Sequence, residues 1–205
     1  MKVLIACEES QRVCIAFREL GCEAYSCDIQ PCSGGFPEYH IQDDVLNYLD
    51  FSWDLIIAFP PCTYLTNAGA VRLFNPDHSI KDFERYKKGL AARDFFMKFY
   101  NSDCPRVCIE NPVPMKIFDL PKCDQIIEPY YFGDPWKKRT CLWLKGIPPL
   151  FYTDIVEPLG LWVGSTSRRN PGYKEYFLSS NRDPKIRSKT FPGVSRAMAA
   201  QWSLI

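Results

Sequence analysis

The fold of this chain is decided by the stretch DLIIAFPPC, residues 54–62. Its apolar residues follow one another without an alternating polar residue, as in a strand buried on both faces of a parallel sheet. Pro60 and Pro61 then stop the strand, because proline has no backbone N–H for the next ladder bond. The stretch therefore predicts a central strand that ends in a rigid turn carrying Cys62.

Strand and helix patterns alternate on both sides of this stretch, which is typical of a parallel α/β sheet. Val3–Cys7 predicts a first buried strand. Ser10 is expected to cap a helix over residues 11–20, and Gly21 to follow its end. These signals predict a sheet whose first crossover helix lies directly after the first strand.

The remaining elements continue the same alternation. A helix is predicted over residues 82–100, with Phe83, Leu90, Phe95 and Phe99 on its buried face. The other strands are predicted at residues 24–28, 39–41, 106–109, 125–130 and 141–144. Together these elements predict a Rossmann-like α/β fold with a mostly parallel seven-stranded sheet.

A change of composition divides the chain of 205 residues into a core and an insertion. Residues 1–147 are predicted to form the core, and residues 191–205 to add its closing helix. Residues 148–190 are rich in Pro, Gly, Ser and Arg, which predicts a loop-rich insertion rather than a second domain.

Composition narrows the functional classes. The net charge is +1, so a nucleic-acid-binding surface would have to be local. No apolar stretch reaches the roughly 20 residues that span a bilayer, and the start does not resemble a signal peptide. We therefore expect a cytoplasmic protein whose ten cysteines are reduced. Their spacing matches zinc ligands only loosely, so no metal site is predicted.

Chemically distinctive residues follow the predicted strand ends, where ligands bind in doubly wound sheets. Asp28 ends the second strand, in a position to accept hydrogen bonds from ribose hydroxyls, or else to cap a turn. Asp44 follows the third element and is equally compatible with an adenine amino group or with a solvated turn. No Gly-rich dinucleotide motif follows the first strand, which favours a smaller nucleoside cofactor.

Cys62 and Glu110 form the most informative pair. A lone cysteine is more often a buried structural thiol than a nucleophile. Glu110, at the end of the neighbouring strand, changes that balance, because a carboxyl in a closed pocket can keep a proton near neutral pH. A thiolate and a protonated carboxyl that face one planar base suit addition to a pyrimidine.

The motifs around these residues resemble the DNA (cytosine-5) methyltransferase family, in particular its small phage- or prophage-type members. Residues 59–62 resemble its Pro-Cys nucleophile motif, and residues 110–112 its Glu-Asn-Val motif. Asp44-Val45 stands where the family has its adenine-contacting Asp, and residues 133–139 resemble its basic motif. The resemblance covers residues 2–144 and 192–202.

The resemblance implies methyl transfer from S-adenosyl-L-methionine to C5 of cytosine in DNA, within a bacterial host cell, with S-adenosyl-L-homocysteine as the product. Cys62 would add to C6 of the base, Glu110 would protonate N3, and Lys138 or Arg139 would assist. The predicted cofactor contacts all lie at or just beyond the predicted strands: Cys7, Glu8, Glu9, Ser10, Asp28, Ile29, Asp44, Val45, Phe59 and Pro60.

Three departures from the family pattern leave alternatives open. The first motif is Ala6-Cys7-Glu8-Glu9-Ser10 rather than Gly-rich, and Thr140 stands where the basic motif has its second arginine. Only Lys145–Lys189 replaces a long target-recognition region, so recognition is minimal or comes from an accessory protein. A catalytically weak module that binds the cofactor or nucleic acid is one alternative. A methyltransferase acting on single strands or nucleotides is another.

Two further patterns bear on the choice of substrate. Pro60-Pro61 also resembles part of an amino-methyltransferase motif, but Phe59 cannot accept a hydrogen bond from a target amine. The insertion carries basic residues among aromatic ones, which suits phosphate contacts and base stacking, although a solvated charged loop has the same composition. The residues predicted to contact nucleic acid there are Arg168, Arg169, Lys174 and Arg187.

Overall fold

The computed structural model describes residues 1–162 and 184–205. Within these ranges the chain forms a seven-stranded sheet and a separate two-stranded pair. In chain order the strands are β1 (Lys2–Ala6), β2 (Glu23–Asp28), β3 (His40–Gln42), β4 (Leu55–Ala58), β5 (Val107–Pro112), β6 (Gln125–Ile127), β7 (Trp136–Lys137), β8 (Thr140–Lys145) and β9 (Gly160–Leu161).

The large sheet has the order β3-β2-β1-β4-β5-β8-β6, with β1 and β4 at its centre. The five strands from β3 to β5 are parallel to their neighbours. Strand β8 is inserted antiparallel between β5 and β6. The predicted mostly parallel, seven-stranded sheet of a Rossmann-like fold is therefore confirmed, and β7 and β9 pair outside it.

The helices connect and cover these strands. They are α1 (Arg12–Glu19), α2 (Ala70–Leu73), α3 (Phe83–Tyr100), α4 (Pro184–Ser188) and α5 (Pro192–Trp202). Short 3₁₀ turns lie at Pro37–Tyr39, Val45–Tyr48, Asn67–Gly69, Lys116–Phe118 and Pro129–Tyr131. The predicted closing helix is α5, which begins at Pro192 because proline is well tolerated in a first helical turn.

Successive side chains of β1 and β4 point to opposite faces of the sheet, and a hydrophobic core forms on each face. Val3 and Ile5 face one side with α1 and α5. Leu4 and Ala6 face the other side with α3. The sheet is thus covered by helices on both faces, which is why its central strands have no polar side.

The start of α1 differs from the prediction. Ser10 does not cap this helix; its hydroxyl lies 3.4 Å from Glu8 Oε1. Gln11 is the residue before the first turn and has a left-handed backbone. The free amides of the helix are instead satisfied by Glu8, which accepts from Val13 N–H at 2.8 Å and Cys14 N–H at 3.2 Å. The two oxygens of the carboxylate each accept from a different amide.

The buried face of α3 also differs in part. Asp82 caps the helix by accepting from Arg85 N–H. Gly89, Phe96 and Phe99 are its buried residues. The prediction was wrong for Phe83, whose side chain is 65% exposed. It lies six residues before Gly89, about 240° of helical rotation away from the face that packs on the sheet.

Candidate active site

Cys62 lies just beyond the carboxyl end of β4. Phe59 N–H donates to Ala6 O at 2.9 Å, and the two prolines then turn the chain out of the sheet. The Cys62 carbonyl accepts from Leu65 N–H at 3.0 Å and Thr66 N–H at 2.9 Å, which closes a tight turn. The half-buried Cys62 thiol is therefore held by a constrained backbone at the carboxyl end of β4.

The loop after Cys62 is attached to the segment that follows β5. Met115 N–H donates to Leu65 O at 2.7 Å, and Asn67 N–H donates to Val113 O at 2.9 Å. Thr66 and Pro114 form an antiparallel bridge between these two segments. The loop carrying the nucleophile and the loop following Glu110 are thus held together by their backbones.

Asn111 connects the two strand ends directly. Its side chain is fully buried, and its Nδ2 donates to Pro60 O at 2.8 Å. Glu110, one residue earlier in β5, pairs in register with Leu142 of β8. The sequence motif containing Asn111 suggested no separate role for it. In the structure it fixes the position of the Cys62 turn relative to Glu110.

Cys62, Glu110, Lys138 and Arg187 form one electrostatic group, called the reactive cluster below. Burial raises the pKa of Glu110, and the positive charge of Lys138 opposes that rise. Burial also raises the pKa of the Cys62 thiol, as does the charge of Glu110, while Lys138 and Arg187 lower it. A Glu110 that keeps its proton does not repel a thiolate, so this arrangement suits an acid paired with a nucleophile.

The two basic residues predicted to assist Cys62 point to different places. Lys138 lines a pocket with Glu110, Thr140, Phe191 and Val194. Its Nζ lies 5.9 Å from the centre of the Phe191 ring. Arg139 is exposed instead, and its charge acts on the pKa values of Glu128 and Cys141. Of the two candidates, Lys138 is the one in the reactive cluster.

Glu128 was missed by the sequence analysis. Its carboxylate accepts a hydrogen bond from the Lys138 backbone N–H, which helps to lower a pKa that burial raises. The second carboxylate oxygen, Oε2, is buried without a hydrogen-bond partner. Glu128 lies beyond the short strand β6, and its spacing to the basic motif carries no recognisable signal for this contact.

The predicted cofactor residues lie around the ends of β1 and β2. Asp28 accepts from Gln30 N–H at 2.9 Å through Oδ1. Asp44 accepts from Leu46 N–H at 3.0 Å and caps the turn that starts at Val45. Both carboxylates act on Cys7, whose pKa is raised first by burial and then by Asp28. Each aspartate thus uses one carboxylate oxygen to accept from a backbone amide.

The side chains of Glu8 and Ser10, two of the predicted cofactor residues, form hydrogen bonds within the fold. Glu8 is 4% exposed and faces the amides of α1 rather than the cleft. Burial raises its pKa to about 7, against opposing hydrogen bonds from Val13 and Cys14. These side chains belong to the fold, so any cofactor contact at Glu8 or Ser10 would come from backbone atoms.

The other residues predicted to contact the cofactor also lie near the carboxyl ends of the parallel strands. Glu9 accepts from Ser33 N–H through its backbone carbonyl, which anchors the loop after β2. Ile29 is 74% exposed, and the Val45 side chain is buried. Phe59 is partly buried and packs on the core that contains α1 and α5, and Pro60 is buried.

Of the four residues predicted to contact nucleic acid, one lies in the described part of the chain. Arg168, Arg169 and Lys174 lie outside the described residues. Arg187, on α4, is described and lies in the reactive cluster. No local pattern predicts this placement, since Arg187 and Cys62 are far apart in sequence and meet only through the tertiary fold.

The described ranges contain neither a metal-ligand cluster nor a membrane-spanning helix. Across residues 1–162 and 184–205, no three His, Cys, Asp or Glu side chains are grouped as metal ligands. None of the described helices combines the length and apolarity needed to cross a bilayer. All ten cysteines, which lie in the described part of the chain, are free thiols.

No family model matches this chain, and no curated protein matches it. Among solved structures it is similar to the methyltransferase EhMeth of Entamoeba histolytica, with 14% identity and a TM-score of 0.48 over 76% of this chain and 57% of that one. It is also similar to the Dnmt2 methyltransferase of S. pombe, with 14% identity and a TM-score of 0.41 over 73% of this chain and 51% of that one. The chain thus spans little more than half the length of these structures, and at this identity the likeness concerns the fold alone.

Proposed function

We propose that this chain transfers a methyl group from S-adenosyl-L-methionine to C5 of cytosine in DNA. The proposal rests on one arrangement, in which a thiol just beyond β4 lies within electrostatic reach of a partly buried carboxyl in β5, and that carboxyl lines a pocket with Lys138. Asn111 holds the two strand ends together through Pro60. This donor set fits a planar base that must be attacked on one carbon and protonated on a ring nitrogen.

The residues at the ends of β2 and β3 fit the nucleoside part of the cofactor. The carboxylate of Asp28 suits ribose hydroxyls, and the exposed carboxylate of Asp44 suits an exocyclic amine. When bound, S-adenosyl-L-methionine supplies an electrophilic methyl group and leaves as S-adenosyl-L-homocysteine. No Gly-rich loop holds its methionine end, so that end would be held by the backbone of residues 7–10.

The residues of the reactive cluster would act in sequence on the base. Cys62 Sγ, as thiolate, forms a bond to C6 while Glu110 gives its proton to N3. This addition makes C5 nucleophilic. After methylation C5 loses its proton to solvent, the bond between C6 and Sγ breaks, and Glu110 takes the N3 proton back. The thiolate and the acid are then restored. In a duplex the cytosine must first leave the base stack.

A covalent trap tests this proposal directly. DNA containing 5-fluorocytosine, incubated with the protein and S-adenosyl-L-methionine, should give an adduct that survives denaturing electrophoresis. Fluorine takes the place of the C5 proton and cannot leave as a cation, so the elimination that would release Cys62 does not occur. Cys62→Ser should give no adduct, and Glu110→Gln should form it at least a hundredfold more slowly, as expected for loss of a general acid. Cys123→Ser, which changes another partly exposed thiol, serves as control.

Single-stranded and double-stranded versions of the trap DNA separate the substrate classes. Adducts on single strands alone would assign the enzyme to unpaired nucleic acid. The absence of any adduct with the wild-type protein would refute the cytosine-C5 mechanism.

One observation favours a second candidate, a module that binds the cofactor or nucleic acid without turnover. Glu8 occupies the amides at the start of α1, where an anionic end of a cofactor could otherwise bind. Weakened binding of the methionine end would reduce methyl transfer and leave nucleoside binding intact. This candidate predicts calorimetric binding of S-adenosyl-L-methionine by a protein that forms no adduct.

A further inference from the structure

The pocket wall formed by the basic motif carries one cation where two basic positions were expected. Lys138 faces the pocket, whereas Arg139 is exposed and acts on other groups. Thr140 lines the same pocket but is uncharged, and its Oγ1 donates to Lys138 O at 2.9 Å. Opposing this single cation are Glu110 and the thiol of Cys62, both of which are anionic when ionised.

Arg187 reaches the same place from the other end of the chain. It lies on α4, a few residues before Thr190 and Phe191, which line the pocket with Glu110. Its side chain is partly buried, and its Nε is buried without a hydrogen-bond partner. An enclosed guanidinium N–H with no partner is costly unless a negative charge compensates for it.

The segment that carries Arg187 is held in place by contacts of the residues that directly follow it, Lys189, Thr190 and Phe191. Arg12 donates to Thr190 O at 2.7 Å, and Lys189 Nζ lies 3.0 Å from Ser33 Oγ. The ring centre of Phe191 lies 5.0 Å from that of Trp162. The guanidinium is thus attached to a docked segment, which allows it to act at a defined site.

We propose that Arg187 is the second cation of the reactive cluster and, together with Lys138, stabilises Cys62 as the thiolate that attacks the base. Its charge replaces the one that Thr140 does not supply. The groups that act on Cys62 are Glu110, Lys138 and Arg187, and the effect of Arg187 on the Cys62 pKa is downward, against burial. This inference rests on the proposed function, in which Cys62 reacts as a thiolate.

Alkylation of Cys62 by iodoacetamide measures the thiolate without any methyl transfer. The thiol proton passes to the buffer, and the thiolate displaces iodide to form a thioether. The rate at Cys62 is followed between pH 6 and 10 by peptide mass spectrometry, which separates Cys62 from the other cysteines. Arg187→Met should shift the midpoint of this curve upward by about one pH unit and slow alkylation at pH 7 about tenfold.

Two further variants distinguish the effect of the Arg187 charge from an effect of the substitution on folding. Arg187→Lys keeps the charge and should lie closer to wild type than to Arg187→Met. Arg93→Met removes a cation from an ion pair with Asp94 on the surface of α3 and should leave the curve unchanged. Superimposable curves for wild type and Arg187→Met would overturn the inference, and so would equal shifts for Arg187→Lys and Arg187→Met. A shifted Arg187→Met curve in a protein that traps no 5-fluorocytosine DNA would support the inference and refute only the proposed function.

Discussion

Replacing Glu8 by glutamine should make the protein more stable at neutral and alkaline pH. Glu8 is buried and accepts from the amides of Val13 and Cys14 at the start of α1. Glutamine has nearly the same shape and keeps one carbonyl oxygen that can accept from Val13 N–H, but its NH2 group cannot accept from Cys14 N–H, and it cannot ionise. The substitution therefore removes the cost of a buried charge and loses one of the two bonds to the helix amides.

The magnitude follows from the pKa of this carboxyl. Burial raises the pKa of Glu8 from 4.5 to about 7. Because the folded-state value is the higher one, the stabilising contribution of Glu8 is complete below pH 4.5 and disappears as the pH rises through 7. At about 1.4 kcal/mol per pKa unit, wild type should lose about 3 kcal/mol of unfolding free energy from this group over that interval.

Urea unfolding of both proteins at pH values from 4.5 to 8.5 measures the difference. Glu8→Gln should lie about 1 kcal/mol below wild type near pH 4.5, because Cys14 N–H loses its acceptor, and should exceed the unfolding free energy of wild type by about 2 kcal/mol at pH 8. Glu19→Gln, which changes an exposed acid at the end of α1, should follow wild type throughout. A Glu8→Gln variant that is less stable than wild type at pH 8 would show that the ionised carboxylate contributes to folding and would refute this reasoning.

Two further predictions concern the core and the cofactor site. Gly89→Ala places a methyl group 2.1 Å from the Phe118 ring, so it should destabilise the fold by about 1–3 kcal/mol despite the higher helix propensity of alanine. Urea unfolding checks this, with partial rescue expected from Phe118→Leu; a more stable Gly89→Ala would contradict the packing described for α3. Asp28→Ala should weaken binding of S-adenosyl-L-methionine by about 2 kcal/mol, roughly 30-fold, through lost hydrogen bonds to a carboxylate. Calorimetry measures this against the exposed control Asp50→Ala, and equal affinities for the two variants would exclude Asp28 as a cofactor ligand.

Much of the fold could be predicted from local patterns. The apolar stretch 54–62 correctly predicted a central strand, and the strand-helix alternation correctly predicted a mostly parallel seven-stranded sheet. Such patterns are informative because a strand covered on both faces must be apolar at every position. Within α3 the same approach failed for Phe83, because many apolar residues offered several possible faces and only packing on the sheet selected one.

The positions of the candidate site residues could be predicted where they depend on the ends of neighbouring strands. Cys62 follows β4 and Glu110 lies near the carboxyl end of the adjacent parallel strand β5, so the order of the elements was enough to place both at the same end of the sheet. Their chemical meaning came from residue type and from the resemblance of their motifs to a known family. The cofactor and substrate assignments remain proposals.

Taken by itself, the amino-acid sequence determined where strands form and which reactive side chains follow them, because both depend on a few consecutive residues. Tertiary structure alone decided how side chains are oriented and which distant groups meet. The Glu8 carboxylate accepts from the amides of α1, and the Asn111 side chain donates to Pro60 O. The positive charge of Arg187 acts on Cys62. The physical reason is that buried polar groups must find partners, and those partners are set by the packing of segments that are remote in the chain.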